Sequence, residues 1–164
     1  MIAVTFLGVF LYDFIHKSGL ASNLRLVTIL SFVLVSVVVY LMKEWAGFSY
    51  RSFNIHLGVL FGTIMACNVW FRIWPAQQEI ITAIKNGDAP NGDLVALAGL
   101  RSKHNTYMSV PLIWTMINQH TTALAGGNFG ITSSTNWLVL MLIVALGWHI
   151  VFQIYKKSAK VEGF

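Results

Sequence analysis

Read for its apolar runs, the chain divides into five segments separated by polar connections. Four are strong: residues 25–42, 54–74, 106–123 and 136–155. A weaker one covers residues 2–17, which at helical rise would reach only ~24 Å, a little short of a bilayer's hydrocarbon core. Pro75 is expected to stop the third run. Beyond it, Ile80, Ile81 and Ile84 recur at the spacing of a short amphipathic helix lying on a surface. Residues 86–93 (NGDAPNGD) read as a turn cluster, and a second short helix is expected from Asp93 to about Leu100. Residues 121–135 are uncharged and rich in Gly, Thr and Ser, a loop composition.

Composition says what solvent these runs face. Apolar residues make up 56% of the 164 positions and charged residues only 10%, where soluble domains carry about a quarter. A water-soluble enzyme, a disordered tail and a disulfide scaffold are all excluded. The expected fold is an all-α integral membrane protein, a bundle of about five transmembrane helices forming a single domain over residues 1–164. The first run lacks a basic residue ahead of its apolar part and is broken by Asp13 and His16, so it reads as a retained helix rather than a cleaved signal.

Charge then orients the bundle. Five spans put Lys17, Arg25, Arg72, Lys85, Arg101, Lys103, Lys156, Lys157 and Lys160 on one side, and only Lys43 and Arg51 on the other. The cation-rich side is expected to be cytoplasmic, with the N-terminus and the 121–135 loop outside, and with the C-terminus and the connecting segment 75–105 inside. The net charge of +5 thus describes orientation, and nucleic acid is not an expected partner. The expected site is a bacterial inner membrane, multi-pass, with lipid and other membrane subunits or further copies of the chain as neighbours.

With so few charges, the histidines stand out. His56 and His120 fall near the outer ends of the third and fourth spans. His104 falls at the inner end of the fourth and His149 in the inner half of the fifth, with His16 at the inner end of the first. Two imidazoles at one depth on neighbouring helices are what a bis-histidine haem b needs, and two such levels would carry electrons across the membrane. Four histidines also suit copper or another metal. With few carboxylates in the spans, a di-iron site is excluded. Asp13 is expected to pair locally with Lys17, one helical turn on. Asn68, Asn105, Ser109, Thr115 and Asn118 are expected to hydrogen-bond between helices. Gly58, Gly62 and Ala66 form a packing stripe. Pro111 is expected to kink the fourth span. Cys67 packs as a small hydrophobe, and the tryptophans near span ends make an interfacial belt. Arg101 and Lys103 read as solvated loop charge.

Residues 56–77 (HLGVLFGTIMACNVWFRIWPAQ), 101–111 (RSKHNTYMSVP) and 116–120 (MINQH), with 87–90 (GDAP) and 11–13 (LYD), resemble the membrane domain of the cytochrome c-linked urate oxidases, the urate oxidase N-terminal domain family. The resemblance covers nearly the whole chain. His56, His104, His120 and His149 stand where that family's pattern has histidine, and His16 does not. The sequence shows this region without the further spans and the Cys-x-x-Cys-His cytochrome domain of longer members. The resemblance implies a redox-linked membrane module: a haem b electron-transfer subunit with one or two haems and cytochrome c as partner. It also leaves open an oxidase of urate or a similar small substrate using cytochrome c. A non-catalytic structural or assembly subunit remains the reading without a cofactor.

Overall fold

Several helices begin where a short polar side chain caps them. Ser18 Oγ accepts from the Leu20 amide to start a 3₁₀ turn, Asn23 from Leu26, Ser49 from Ser52 and Asn91 from Asp93, each satisfying a donor that has no partner inside its own helix. In the computed structural model, which describes residues 2–120 and 131–161, these starts open α2 (Leu24–Glu44), α3 (Tyr50–Asn68) and α5 (Gly92–Ile117), preceded by α1 (Ile2–Lys17). A π-helical turn, Val69–Ile73, joins α3 to α4 (Trp74–Lys85), and α6 spans Asn136–Ser158. No strand occurs among the described residues. The expected loop at 121–135 lies, for residues 121–130, outside the described part of the chain, as do the last three residues expected in the fourth span.

The helices alternate in direction. Gly8 meets Leu60, and Asp13 meets Arg72, so α1 and α3 run the same way. Asn118 bonds the Tyr50 hydroxyl while Arg101 reaches Asp13, so α5 runs against them. Tyr155 bonds Thr106 at one end of α6, while Trp137 packs on Tyr40 of α2 at the other. This alternation gathers Lys17, Arg72, Arg101, Lys103 and the end of α6 at one end of the bundle, and leaves Arg51 and Lys43 at the opposite end, the partition read from hydropathy.

Three of these rods are long and apolar enough to cross a membrane: α2, the continuous 36-residue rod Tyr50–Lys85, and α6. The core sits around the middle of α3, where Phe53, Leu57 and Phe61 pack on Val39, Leu140 and Val144. The outer surface carries many large apolar side chains. Phe6, Phe10, Phe14, Ile29 and Leu142 all lie on it, more than half exposed, which suits a hydrocarbon surround rather than water.

Two boundaries differ from expectation. Pro75 does not stop the third helix. It falls in the first turn of α4, where a missing amide hydrogen costs least, directly after a π turn that has already altered the hydrogen-bond ladder its ring would strike. The first short helix is α4, continuous with the third span, but the second short helix and the fourth span are not separate. Residues 92–105 are the first half of α5, a single 26-residue helix with Pro111 inside it.

Of the small-residue stripe, only Gly58 is closely packed, and Ala66 is exposed. A side-chain carbon at Gly58 would fall inside the contact distance of Thr115 Oγ1, and Gly62 faces only the far end of Leu112. On the other flank of α5, a carbon at Gly147 would meet Val110 Cγ1 at 3.1 Å and Pro111 Cδ at 3.3 Å, so α6 is held close against the proline.

Candidate functional site

Tyr12, Asp13, His16 and Lys17 stand at i, i+1, i+4 and i+5 on α1, one polar face on an otherwise apolar helix. That face turns inward at the cation-rich end. Asp13 is the centre of its charges. Arg72 donates to it through Nε at 3.0 Å and Nη2 at 2.5 Å, Arg101 Nη2 at 3.0 Å, and Lys17 Nζ lies 3.0 Å away. One carboxylate therefore serves three cations. The expected local pair with Lys17 is present, as the most exposed of the three.

Arg101 is the unusual member. It is 2% exposed, its Nε lacks a partner, and its guanidinium lies 5.2 Å from the centre of the Tyr12 ring. A buried cation persists only when paired and hydrogen-bonded, so the expectation of a solvated loop charge is corrected here. Lys103, two residues on, packs its ammonium 4.6 Å over the Tyr155 ring.

A hydrogen-bond network continues from the charges into the bundle. Asn68 Oδ1 accepts from Arg101 at 3.5 Å, which turns its amide nitrogen toward Asn105 Oδ1 at 2.9 Å and the Tyr12 hydroxyl oxygen at 3.0 Å. Asn105 in turn donates to the Met65 carbonyl at 3.2 Å. Tyr12 Oη and His104 Nδ1 are 2.7 Å apart. The His16 ring lies against His104, centroids 4.4 Å apart and planes tilted by 37°, and Tyr12 meets His16 edge-on at 4.4 Å. The π turn follows Asn68 directly and contains Arg72, a kind of local break that recurs at functional sites.

The four histidines singled out by sequence are dispersed. His56 holds Nδ1 2.7 Å from the Ser52 carbonyl and packs on the Phe48 ring at 4.8 Å. His120 is the exposed last residue of a 3₁₀ turn, Asn118–His120. Gln119 bonds the Arg51 carbonyl at 3.2 Å, so that turn lies against the start of α3, at the same end of the bundle as His56. No hydrogen bond or ring contact joins the two. His149 is exposed on α6, 3.1 Å from Gln153, and has no contact with His104. His149→Ala is expected to change stability by no more than ~0.5 kcal/mol, as for an ordinary surface position, and a thermal unfolding curve in detergent checks this. Among the described residues, no group of three or more His, Cys, Asp or Glu is placed to hold a metal ion.

His104 instead meets His16, the one histidine outside the family pattern. The i, i+4 repeat of Tyr12–His16 and Asp13–Lys17 is the sequence signal that marks it. Of the polar residues expected to bond between helices, Asn68, Asn105 and Asn118 do. Ser109 and Thr115 return to carbonyls of their own helix, Thr106 and Leu112.

A family model described as urate oxidase N-terminal matches residues 1–162. No curated protein and no solved structure matches the chain.

Proposed function

The chain belongs to the urate oxidase N-terminal family, and from that premise we propose that it is a membrane-embedded redox module. In this reading it passes electrons by way of haem b toward cytochrome c, within a larger complex or a homo-oligomer of the bacterial inner membrane. Five helices cross, with the N-terminus outside and the cation-rich end cytoplasmic. Two features support the crossing of α1 and α5 alongside the three most apolar rods. Asp13 of α1 and Arg101 of α5 point at one another, and the outer faces of both helices carry residues such as Phe10 and Ile113. The gathering of cations at one end supports the orientation.

The observation that carries the haem reading is the posture of His56. Its Nδ1 is engaged by the Ser52 carbonyl, which fixes the tautomer and leaves Nε2 available, the arrangement found in metal-ligating histidines. His56 would therefore serve as one of two residues holding the haem, and His120, at the same end, is the second imidazole we assign. Haem bound there would supply one-electron transfer. His104 and His149 do not fit a shared group, since one is turned to Tyr12 and His16 and the other lies exposed on α6.

Purified protein is expected to show a Soret band and a pyridine haemochrome of b type, lost in both His56→Ala and His120→Ala and retained in His149→Ala. An empty spectrum together with an empty metal analysis would overturn the reading in favour of a non-catalytic assembly subunit. Reduction of added cytochrome c by urate would extend it to an oxidase.

A further inference from the structure

The charges at the cation-rich end do not balance. Three cations, Lys17, Arg72 and Arg101, meet the single carboxylate of Asp13. Among the described residues no second carboxylate pairs with any of them. Arg101 is buried and directs its two terminal nitrogens to Asp13 and Asn68. The other two cations lie at the surface. Lys17 has a side chain 56% exposed, and one bond to Asp13 leaves its ammonium two further hydrogens. Arg72, 29% exposed, gives Nε and Nη2 to Asp13, which leaves Nη1 for another acceptor.

An apolar track runs from this charge toward the middle of the bundle. Phe6, Phe10 and Phe14 recur one helical turn apart on α1, and all three are exposed. Around the helix axis Lys17 projects within ~20° of both Phe6 and Phe10. Along the axis Phe6 and Lys17 are ~16 Å apart, about half of a ~30 Å hydrocarbon core and so one leaflet deep. Trp70, Phe71 and Trp74, next to Arg72 in sequence, are exposed as well, and aromatic residues of this kind settle at the headgroup level.

We infer that this face of α1 holds one anionic phospholipid of the inner leaflet. Its phosphate lies on Lys17 and Arg72, and one acyl chain follows Phe14, Phe10 and Phe6. Arg101 adds its charge from behind without touching the lipid. The excess of cation over carboxylate selects the headgroup. A zwitterionic lipid would bring its ammonium to the same cations, whereas a lipid of net negative charge brings only the phosphate they lack. The apolar track selects a lipid over a free phosphate. The site rests on the crossing of α1 proposed above and on no haem. Impermeant maleimide tests that crossing separately, since Ile2→Cys and Gly19→Cys in a Cys67→Ala background should react from opposite sides of the membrane.

Full-length chain stripped of lipid in a neutral detergent is expected, by native mass spectrometry, to retain one phosphatidylglycerol per chain. It should bind that lipid several-fold more tightly than phosphatidylcholine. Lys17→Gln, on an exposed side chain, should remove most of the preference, and Arg72→Gln should do the same. Phe10→Ala should weaken both lipids alike. Lys156→Gln with Lys157→Gln, at the end of α6, should leave the preference unchanged, which separates this site from a generally basic surface. Inorganic phosphate at equal concentration should not displace the lipid. Equal binding of the two lipids would overturn the site, as would a preference that survives both Lys17→Gln and Arg72→Gln. Displacement by inorganic phosphate would overturn it in favour of a simple anion site. Each result can be obtained whether or not a Soret band is found.

Discussion

Asp13→Ala is expected to destabilise the bundle by about 3 kcal/mol, the lower end of the range for breaking a buried ion pair. The cost falls unevenly on the three cations it serves. The Lys17 and Arg72 side chains are 56% and 29% exposed and can turn to water. Arg101, at 2%, cannot, and would be left as a buried charge without a counterion. The double variant Asp13→Ala with Arg101→Met should regain most of the loss, because an apolar side chain of similar length carries no charge to strand. Lys17→Ala should stay within ~1 kcal/mol of wild type, as for other exposed pairs. Thermal or SDS unfolding followed by far-ultraviolet circular dichroism compares the four proteins. An Asp13→Ala variant as stable as wild type, or a double variant no better than the single one, would show that the carboxylate does not hold Arg101 in place.

The second large effect is expected at Gly58. An alanine there drives a methyl group into Thr115 Oγ1, and places it 3.2 Å from Thr115 Cβ and 3.5 Å from Leu112 Cδ1. Overpacking of this kind costs about 1–3 kcal/mol, and the neighbour has little freedom because a β-branched side chain is stiff at χ1. Thr115→Ala in the same background should recover much of the loss, since the threonine hydroxyl bonds only a carbonyl of its own helix, Leu112. Gly62→Ala provides the contrast. Its new carbon would meet Leu112 Cδ1 at 4.0 Å, ordinary contact, so the change should be neutral or slightly stabilising through helix propensity. Equal effects at residues 58 and 62 would contradict the close approach of α3 and α5.

The parts of the fold legible in sequence are those written in local periodicity. The apolar runs at 25–42 and 136–155 became α2 and α6 with ends displaced by three residues or fewer, because nothing outside those runs decides their state. The segment 92–105 was legible only in part, as a short helix from Asp93 to about Leu100 and not as the first half of α5. Arg101, Lys103 and His104 make it look like a connection, and what turns it into packed helix is a carboxylate 88 positions earlier. No window-based pattern contains that pairing. Pro75 misleads for a similar reason, since its effect depends on the π turn before it. In the site, depth along each span could be read, and it placed His16 and His104 at one level. Rotation about each helix axis is less secure from sequence. That rotation carries His149 to the exposed side of α6 and brings His104 onto His16.

The rod Tyr50–Lys85 also has a mechanical meaning. Its 36 residues extend ~54 Å at helical rise, longer than the ~30 Å hydrocarbon core of a bilayer, and α5 runs back beside its far end. The hairpin they form at Gly87, where φ is +81°, is the tip of a lever. Arg72, which grips Asp13, lies partway down its shaft at the π turn. A displacement of that tip is therefore expected to reach Asp13 by way of Arg72, and with it the helix that carries Tyr12 and His16.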